Sequence, residues 1–537
     1  MAAIVQDEIA PLRDPLPASI RLRGPERAGL ADRFAPTDPL PGAELTAHPR
    51  VARVVRSRKF QFLLILPNQI IFWTVIFVGL LGTAVPGLNF GAAITWYVWF
   101  CLVFVMMVVV GRAWCAMCPF GGFAEWVQRR SFFTRTQKAL GLGRTFPEPL
   151  ARVGFLIPVA SFLVLTWIEE FFNIAGPGNP ADTSWMVVGI VASALAFFLV
   201  FERRTFCRYV CPLTTLIGTV GSMGSVAGFR TRDREVCLTC RTKDCMRGGT
   251  DGFGCPWYTW PGSADSNLYC GLCSECYKAC PEGNVGLFLH KPLTSVVAPR
   301  QRRADVAWGI ALLWGLVLYQ QLNATNAFAA AESWLDAHLG FPHYPNPIGY
   351  LGMIAVGALA FVAAAALIAK GVASPGVGSR PAVGSARPAV GSARPAVGSA
   401  RPGRFLERTS RFRAFFVPMA YGLIPVMGAD YFARQLPKFF QHAPRVVPAV
   451  ADIAGLSSTR SPVYRLSIMT NGWIVVVQVA VVCLGALAAA WATWRITSNE
   501  LVPISDHKVA VRVATVGVAL ACGAAAAVLY VLMHAAD

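Results

Sequence analysis

Charge is scarce in this chain. Asp, Glu, Lys and Arg make up 14% of its 537 residues, and acids are the rarer sign, 29 against 48 bases. That composition excludes an ordinary soluble domain. Phosphate-binding loops are lacking as well. There is no Gly-x-x-x-x-Gly-Lys-Ser/Thr stretch and no dinucleotide fingerprint, so nucleotide hydrolysis and direct NAD binding find no support. The first 59 residues contain no long apolar run. A cleavable signal peptide is therefore not expected, and 1–59 reads as a loosely attached N-terminal arm.

What the chain has in abundance is apolar sequence, 55% of its residues. It comes in runs of about 17–23 residues, long enough to cross a bilayer. Nine spans are expected, near 60–82, 92–111, 153–169, 185–201, 304–322, 348–370, 414–430, 472–494 and 509–533. Pro418, Pro425 and Asp430 interrupt the seventh, which could instead be re-entrant. Basic residues gather on alternate connections. Arg53, Arg56, Arg58 and Lys59 precede the first span, and Arg112, Arg129, Arg130, Arg135, Lys138 and Arg144 follow the second. Arg203, Arg204 and Arg208 follow the fourth. This positive-inside pattern places the N-terminus in the cytoplasm of a cell with the protein in its inner membrane. The net charge of +19 then reports orientation and anionic lipid, not nucleic acid. One stretch resists the pattern: 431–471 should lie outside, yet holds Arg434, Lys438, Arg445, Arg460 and Arg465.

The expected organisation is an arm at 1–59, a four-span module at 60–229, a small domain at 230–290 and two spans at 304–370. A linker follows at 371–411, then a C-terminal membrane module at 412–537. Inside the linker Arg-Pro-Ala-Val-Gly-Ser-Ala repeats three times from Arg380 to Ala400, a composition that forbids helix and sheet.

Chemistry concentrates in the fifteen cysteines, which in a reducing compartment favour metal ligation over disulfides. In Cys270-Gly-Leu-Cys273-Ser-Glu-Cys276-Tyr-Lys-Ala-Cys280-Pro281, three thiolates at steps of three can hold three corners of one iron–sulfur cube. The cysteine before proline is turned toward a neighbouring cube. Upstream, Cys237, Cys240 and Cys245 are followed by Cys255-Pro256. Crossed ligation assigns Cys237, Cys240, Cys245 and Cys280 to one [4Fe–4S] cluster, and Cys270, Cys273, Cys276 and Cys255 to a second. Zinc would use Cys-x2-Cys pairs set well apart. The fold class is thus a polytopic α-helical membrane protein carrying a small bacterial-ferredoxin-like α+β two-cluster domain on its cytoplasmic side.

Two further motifs sit where spans end: Gly111-Arg112-Ala-Trp-Cys115-Ala-Met-Cys118-Pro119 and Arg203-Arg204-Thr-Phe-Cys207-Arg-Tyr-Val-Cys211-Pro212. They mirror one another, as a duplicated two-span hairpin would. Proline, not histidine, follows each second cysteine, which excludes haem attachment. Cys115, Cys118, Cys207 and Cys211 could hold a third metal centre, cycle as dithiols, or serve structure alone.

The paired Cys-Pro hairpins followed by paired ferredoxin motifs resemble the NosR/NapH family of membrane polyferredoxins, with MauN-type and CcoG-type relatives. The resemblance covers about residues 60–325 and implies redox roles for Cys115, Cys118, Cys207 and Cys211. It also implies electron transfer between a soluble carrier and the quinone pool or a membrane redox partner, as an oxidoreductase component rather than a stand-alone enzyme. The other function it implies is maturation of a client metalloenzyme; a redox-sensing regulator, in which cluster state changes the fold of the C-terminal module, is a further reading.

Smaller candidates complete the inventory. Asn68 and Gln69, after Pro67, could line a quinone pocket or bond neighbouring helices. Cys101, Cys483 and Cys522 in apolar spans are expected to be small buried hydrophobes. Glu169, Glu170, Asp305 and Asp430 lie at span ends, where solvation is the ordinary fate.

Overall fold

Backbone in lipid must satisfy its own N–H and C=O groups, so apolar runs of this length fold as helices. The computed structural model describes residues 42–132, 140–175, 179–299, 302–323, 325–339, 345–372, 411–456, 459–502 and 507–535. The Arg-Pro repeat, Arg135 and Lys138 lie outside the described residues. The described chain is mostly helical. Seven helical stretches within it are long and apolar enough to cross a membrane: Phe60–Leu81, Phe90–Val110, Pro180–Val200, Pro347–Gly371, Phe412–Ile453, Asn471–Glu500 and Lys508–Leu532. The other two apolar runs are helical too, Leu156–Phe171 with 16 residues and Ala304–Leu322 with 19. Ala304–Leu322 is buried along nearly its whole length. It packs against Leu156–Phe171, Pro347–Val372, Arg411–Gly422, Ile424–Ala433 and Lys508–Ala535. The C-terminal helices thus share one apolar core with the cysteine-bearing half.

Phe412–Ile453 is not one rod but a chain of short helices: Arg411–Gly422, Ile424–Ala433, Leu436–His442 and Val446–Ile453. Pro425 and Pro437 each open a new helix, and Pro444 sits in the 3-10 turn between the last two. Proline lacks the N–H that would continue the ladder and disfavours helix in the residue before it. Most of this stretch is buried in protein, the condition under which broken helix survives at membrane depth.

The basic residues at 434 and 438 turn inward. Arg434 Nη2 lies 3.8 Å from Glu170 Oε1, and its Nη1 donates to the Gln320 carbonyl. Glu170 Oε2 accepts from Tyr319 Oη at 2.8 Å and Asn323 Nδ2 at 3.3 Å. Lys438 neighbours Glu169 and sits 5.3 Å from the Trp96 ring. Gln321 Nε2 donates to Asp430. Glu170 and Asp430 are therefore held in protein contacts instead of solvated, and they tie three helical segments together.

Two residues offered as a quinone lining are committed elsewhere. Asn68 Nδ2 donates to the Leu64 carbonyl at 3.1 Å. The Gln69 amide, in the orientation its neighbours dictate, donates to the Pro119 carbonyl at 3.2 Å and accepts from Trp73 Nε1 at 3.0 Å. Both are helix contacts. Cys483 is exposed on its helix rather than buried, while Cys101 is buried.

The small domain is built on one antiparallel pair, Val226–Thr231 with Val285–Leu289. The end of the N-terminal arm docks on it. Glu44 bridges Phe288, the Leu289 N–H donates to the Ala43 carbonyl at 2.8 Å, and Glu44 pairs with Arg232 at 2.5 Å. From residue 42 onward the arm is thus attached to the domain, correcting the expectation of a loose tether.

Candidate iron–sulfur sites

Twelve cysteines fall into three groups of four. In the first, Cys237, Cys240, Cys245 and Cys280 line one cavity. Short helices Arg234–Thr239 and Asp244–Arg247 present the first three, and Cys280 ends the helix Glu275–Ala279. Cys237 Sγ lies 3.1 Å from Thr231 Oγ1 and accepts from Asn284 Nδ2 at 3.3 Å. Cys280 Sγ accepts from the Asn284 N–H at 3.3 Å.

The second group is Cys255, Cys270, Cys273 and Cys276: Cys255 feels Cys270, Cys273 feels Cys255, and Cys276 feels the other three. Burial pushes Cys255, Cys273 and Cys276 upward first, and the neighbouring thiols add to it. Cys245 couples to Cys255 and Cys276, so the first two groups adjoin. The Gly-rich loop between Cys245 and Cys255 closes on itself, with Cys255 N–H donating to the Cys245 carbonyl at 2.8 Å.

Two residues at this second group had escaped the reading of the sequence. A Cβ at Gly228 would lie 2.7 Å from Cys270 Sγ, and the residue sits at φ +91, so only glycine lets the strand pass the sulfur. Its signal was a glycine inside a strand. Arg230 is 2% exposed, and none of its three guanidinium nitrogens finds a hydrogen-bond partner among the described residues. Burial holds its pKa below the usual guanidinium range, against the charges of Cys270, Asp265 and Cys276. A buried, unpartnered cation is costly, and an anionic cluster on four thiolates is the counter-charge this environment fits. The local sequence carries no signal for Arg230.

The third group joins the two hairpins. The span ending at Val110 turns at Gly111 (φ +65), a left-handed residue that brings Arg112 and Cys115 beneath the bundle. Cys115, Cys118, Cys207 and Cys211 act on one another electrostatically. A Cβ at Gly121, three residues past Cys118, would meet Cys207 Sγ at 3.1 Å. Burial lifts Cys118 up to about 12 and Cys211 up to about 11, and raises Cys207 as well.

A common local rule governs the Cys-Pro motifs. Proline removes its own N–H, and N–H groups two to four residues past the cysteine turn back on the sulfur, as at any helix start. Gly121 donates to Cys118, Leu213 and Thr214 to Cys211, Trp257 and Thr259 to Cys255, and Glu282 and Asn284 to Cys280.

Arginines join the groups. Arg204, 1% exposed, donates to Glu125 Oε2 at 3.1 and 2.6 Å and to the Cys115 carbonyl at 2.9 Å. Burial opposes its charge, but Glu125, Cys207 and Cys273 together hold it firmly protonated. It thus stands between the third and second groups. Arg112 reaches Cys115 Sγ at 3.7 Å and lies 4.4 Å from the Trp257 ring. Arg203 donates to the Met246 and Cys255 carbonyls at 2.6 and 3.1 Å.

Among the described residues, no three His, Cys, Asp or Glu side chains close around a point as a single ion requires. A cube carries one thiolate per corner, so its ligands stand farther apart than those of one zinc ion. Each group of four could hold one cube.

Residues 92–138 and 183–228 both match a family model described as a 4Fe-4S binding domain. The matched stretches contain Cys115, Cys118, Cys207 and Cys211, and stop short of the eight-cysteine segment. The match supports an iron–sulfur protein. No curated protein and no solved structure matches the chain.

Proposed function

We propose that this chain is a membrane iron–sulfur electron-transfer protein. It links a soluble carrier in the cytoplasm to the quinone pool or a membrane redox partner through nine spans. The reading assigns Cys237, Cys240, Cys245 and Cys280 to one [4Fe–4S] cluster, and Cys255, Cys270, Cys273 and Cys276 to a second. Cys115, Cys118, Cys207 and Cys211 would hold a third iron–sulfur centre. When bound, such clusters supply one-electron transfer. The observation that carries the reading is the order of the sulfur groups. The first adjoins the second, and Arg204, bonded to the Cys115 carbonyl of the third, also feels the charge of Cys273 in the second, at the ends of two apolar helices.

The protein's part is binding and tuning. Backbone N–H groups aimed at Cys118, Cys211, Cys255 and Cys280 favour extra negative charge on the sulfurs. Arg204 and Arg112 do the same from the side. Cycling as a dithiol is the alternative for the membrane-edge cysteines, and it needs a thiolate, which burial of Cys118 and Cys211 opposes. A bound metal ionises a coordinating thiol outright.

Cys118→Ala or Cys211→Ala tests the reading. In purified protein the two four-cysteine clusters of the small domain should remain assembled and chemically reducible by EPR, while exchange with a quinone analogue in membranes stops. Exchange at the wild-type rate with those clusters intact would refute the relay.

A further inference from the structure

A cavity opens where the first span begins, between the helix Phe60–Leu81, the helix Pro119–Arg129 and the loop 250–253. Its walls are aromatic. Phe62, Trp126 and Phe132 form a mutual cluster, with centroids 5.2–5.5 Å apart, and Phe253 carries Arg129 3.6 Å above its ring. Leu63 and Leu66, beside it on the span, are exposed as lipid-facing residues are. An occupant can therefore arrive from the apolar layer.

The polar groups at the cavity settle what kind of occupant fits. The cations lining it are paired: Arg58 with Asp251 at 3.6 Å, Lys278 with Glu275 at 3.0 Å, and Arg129 with Glu125. Among the described residues that line it, no spare positive charge awaits a phosphate. Gln61 differs. It is 7% exposed, lines the cavity, and its Nε2 finds no partner among the described residues. A buried amide donor left unmade costs about 1–3 kcal/mol, so it calls for a neutral acceptor. A flat ring bearing carbonyl oxygens on an apolar tail meets each demand: planar walls for the ring, a donor for one carbonyl, a lipid-side entrance for the tail.

We infer that this cavity binds the head group of an isoprenoid quinone, with Gln61 donating to one ring carbonyl. The inference deepens the electron-transfer reading, on which it rests for the choice of quinone. The position suits that role. Cys276 lies on the same short helix as Glu275 and Lys278, and Cys118 is the residue from which the Trp126 helix starts.

The test uses the full chain with its clusters, in detergent and in vesicles, and an azido-ubiquinone with a short tail as photolabel. Label in the wild type should map to peptides containing residues 58–62, 126–132 or 250–278, and decylubiquinone should compete it away. Gln61→Leu, which keeps the shape and removes the donor, should weaken decylubiquinone binding about tenfold while cluster absorbance is unchanged. Trp126→Leu, at a half-buried position, gives a second reading should Gln61→Leu fail to fold. Labelling elsewhere, labelling indifferent to both variants, or protection by inorganic phosphate instead of decylubiquinone overturns the inference. Reduced clusters that still pass electrons to quinone in that case leave the electron-transfer reading standing. Correct labelling without cluster reoxidation by quinone would keep the site and refute that reading.

Discussion

Arg230 places a positive charge beside Cys270 and Cys276; Asp265 acts on it too, but among the described residues no carboxylate is hydrogen-bonded to it. A fixed charge there stabilises the more reduced, more negative state of whatever the four thiolates hold. Arg230→Gln should therefore lower the midpoint potential of the Cys255, Cys270, Cys273 and Cys276 centre, by on the order of 60 mV or a tenfold change for a one-electron couple. The centre at Cys237 should barely move, and an EPR-monitored titration separates the two. Asn284→Ala removes the Nδ2 donor to Cys237 and should shift that centre in the same direction, by less because a neutral donor is lost. At this scale the sequence was informative about cysteines and nearly silent about their neighbours. Ligand spacing is local, so it can be read along the chain. Arg230 and Gly228 matter because a distant loop brings Cys270 against their strand, and nothing beside them in the chain records that.

Among the elements, the two hairpins are locked by a buried ion pair rather than by apolar contact alone. Glu125 belongs to the helix that starts at Cys118, and Arg204 to the turn that leads to Cys207. Burial pushes the Glu125 carboxyl up, but Arg129 and Arg204 outweigh it and hold its pKa below the ordinary glutamate range. A depressed folded-state pKa gives stability that is present above the unfolded value, about 4.3, and is lost as pH falls through the folded one. Thermal unfolding should thus lose a component below about pH 4 that Glu125→Gln lacks. Arg204→Met removes one of the two arginines that hold the buried Glu125 carboxylate and should cost about 1–3 kcal/mol. Retention of wild-type stability in that variant would show the pair to be dispensable. Arg203, Arg204 and Arg208 had been counted from the sequence as a topology signal. The structure uses the same residues as clamps, on Met246, Cys255, Glu125 and Trp257. A charge count cannot separate those uses, because the partners lie 40 or more positions away.

For the whole molecule, the apolar runs announced helices because their composition leaves no other solution in lipid. The paths of the helices were less legible. The basic residues at 434 and 438 looked like a violation of the charge rule, and the structure gives them acidic partners at Glu170 and Glu169 on another helix. Of the prolines that interrupt Phe412–Ile453 the sequence marks Pro425 but not Pro437 or Pro444, and Pro418 lies inside the helix Arg411–Gly422. The burial that makes the breaks tolerable comes from helices far away in sequence. Reporter fusions at Ser263, in the small domain, should read cytoplasmic if the nine-span reading is right, and an outside signal would reverse the membrane orientation.

Arg434 and Asp430, which follow the Arg-Pro repeat in the chain, reach Glu170, Gln320 and Gln321, which precede it. Side-chain bonds and a shared apolar core join the two halves directly. If the chain is divided at residue 390 and its two parts are made from separate messages, they should find one another and copurify. Their activity should match that of the unbroken chain. Charge reversal at Arg434 in one fragment should abolish that recovery, and reversal at Glu170 in the other should restore part of it. Such an outcome would make the C-terminal helices a subunit in all but genetics, free to be exchanged between relatives as a unit.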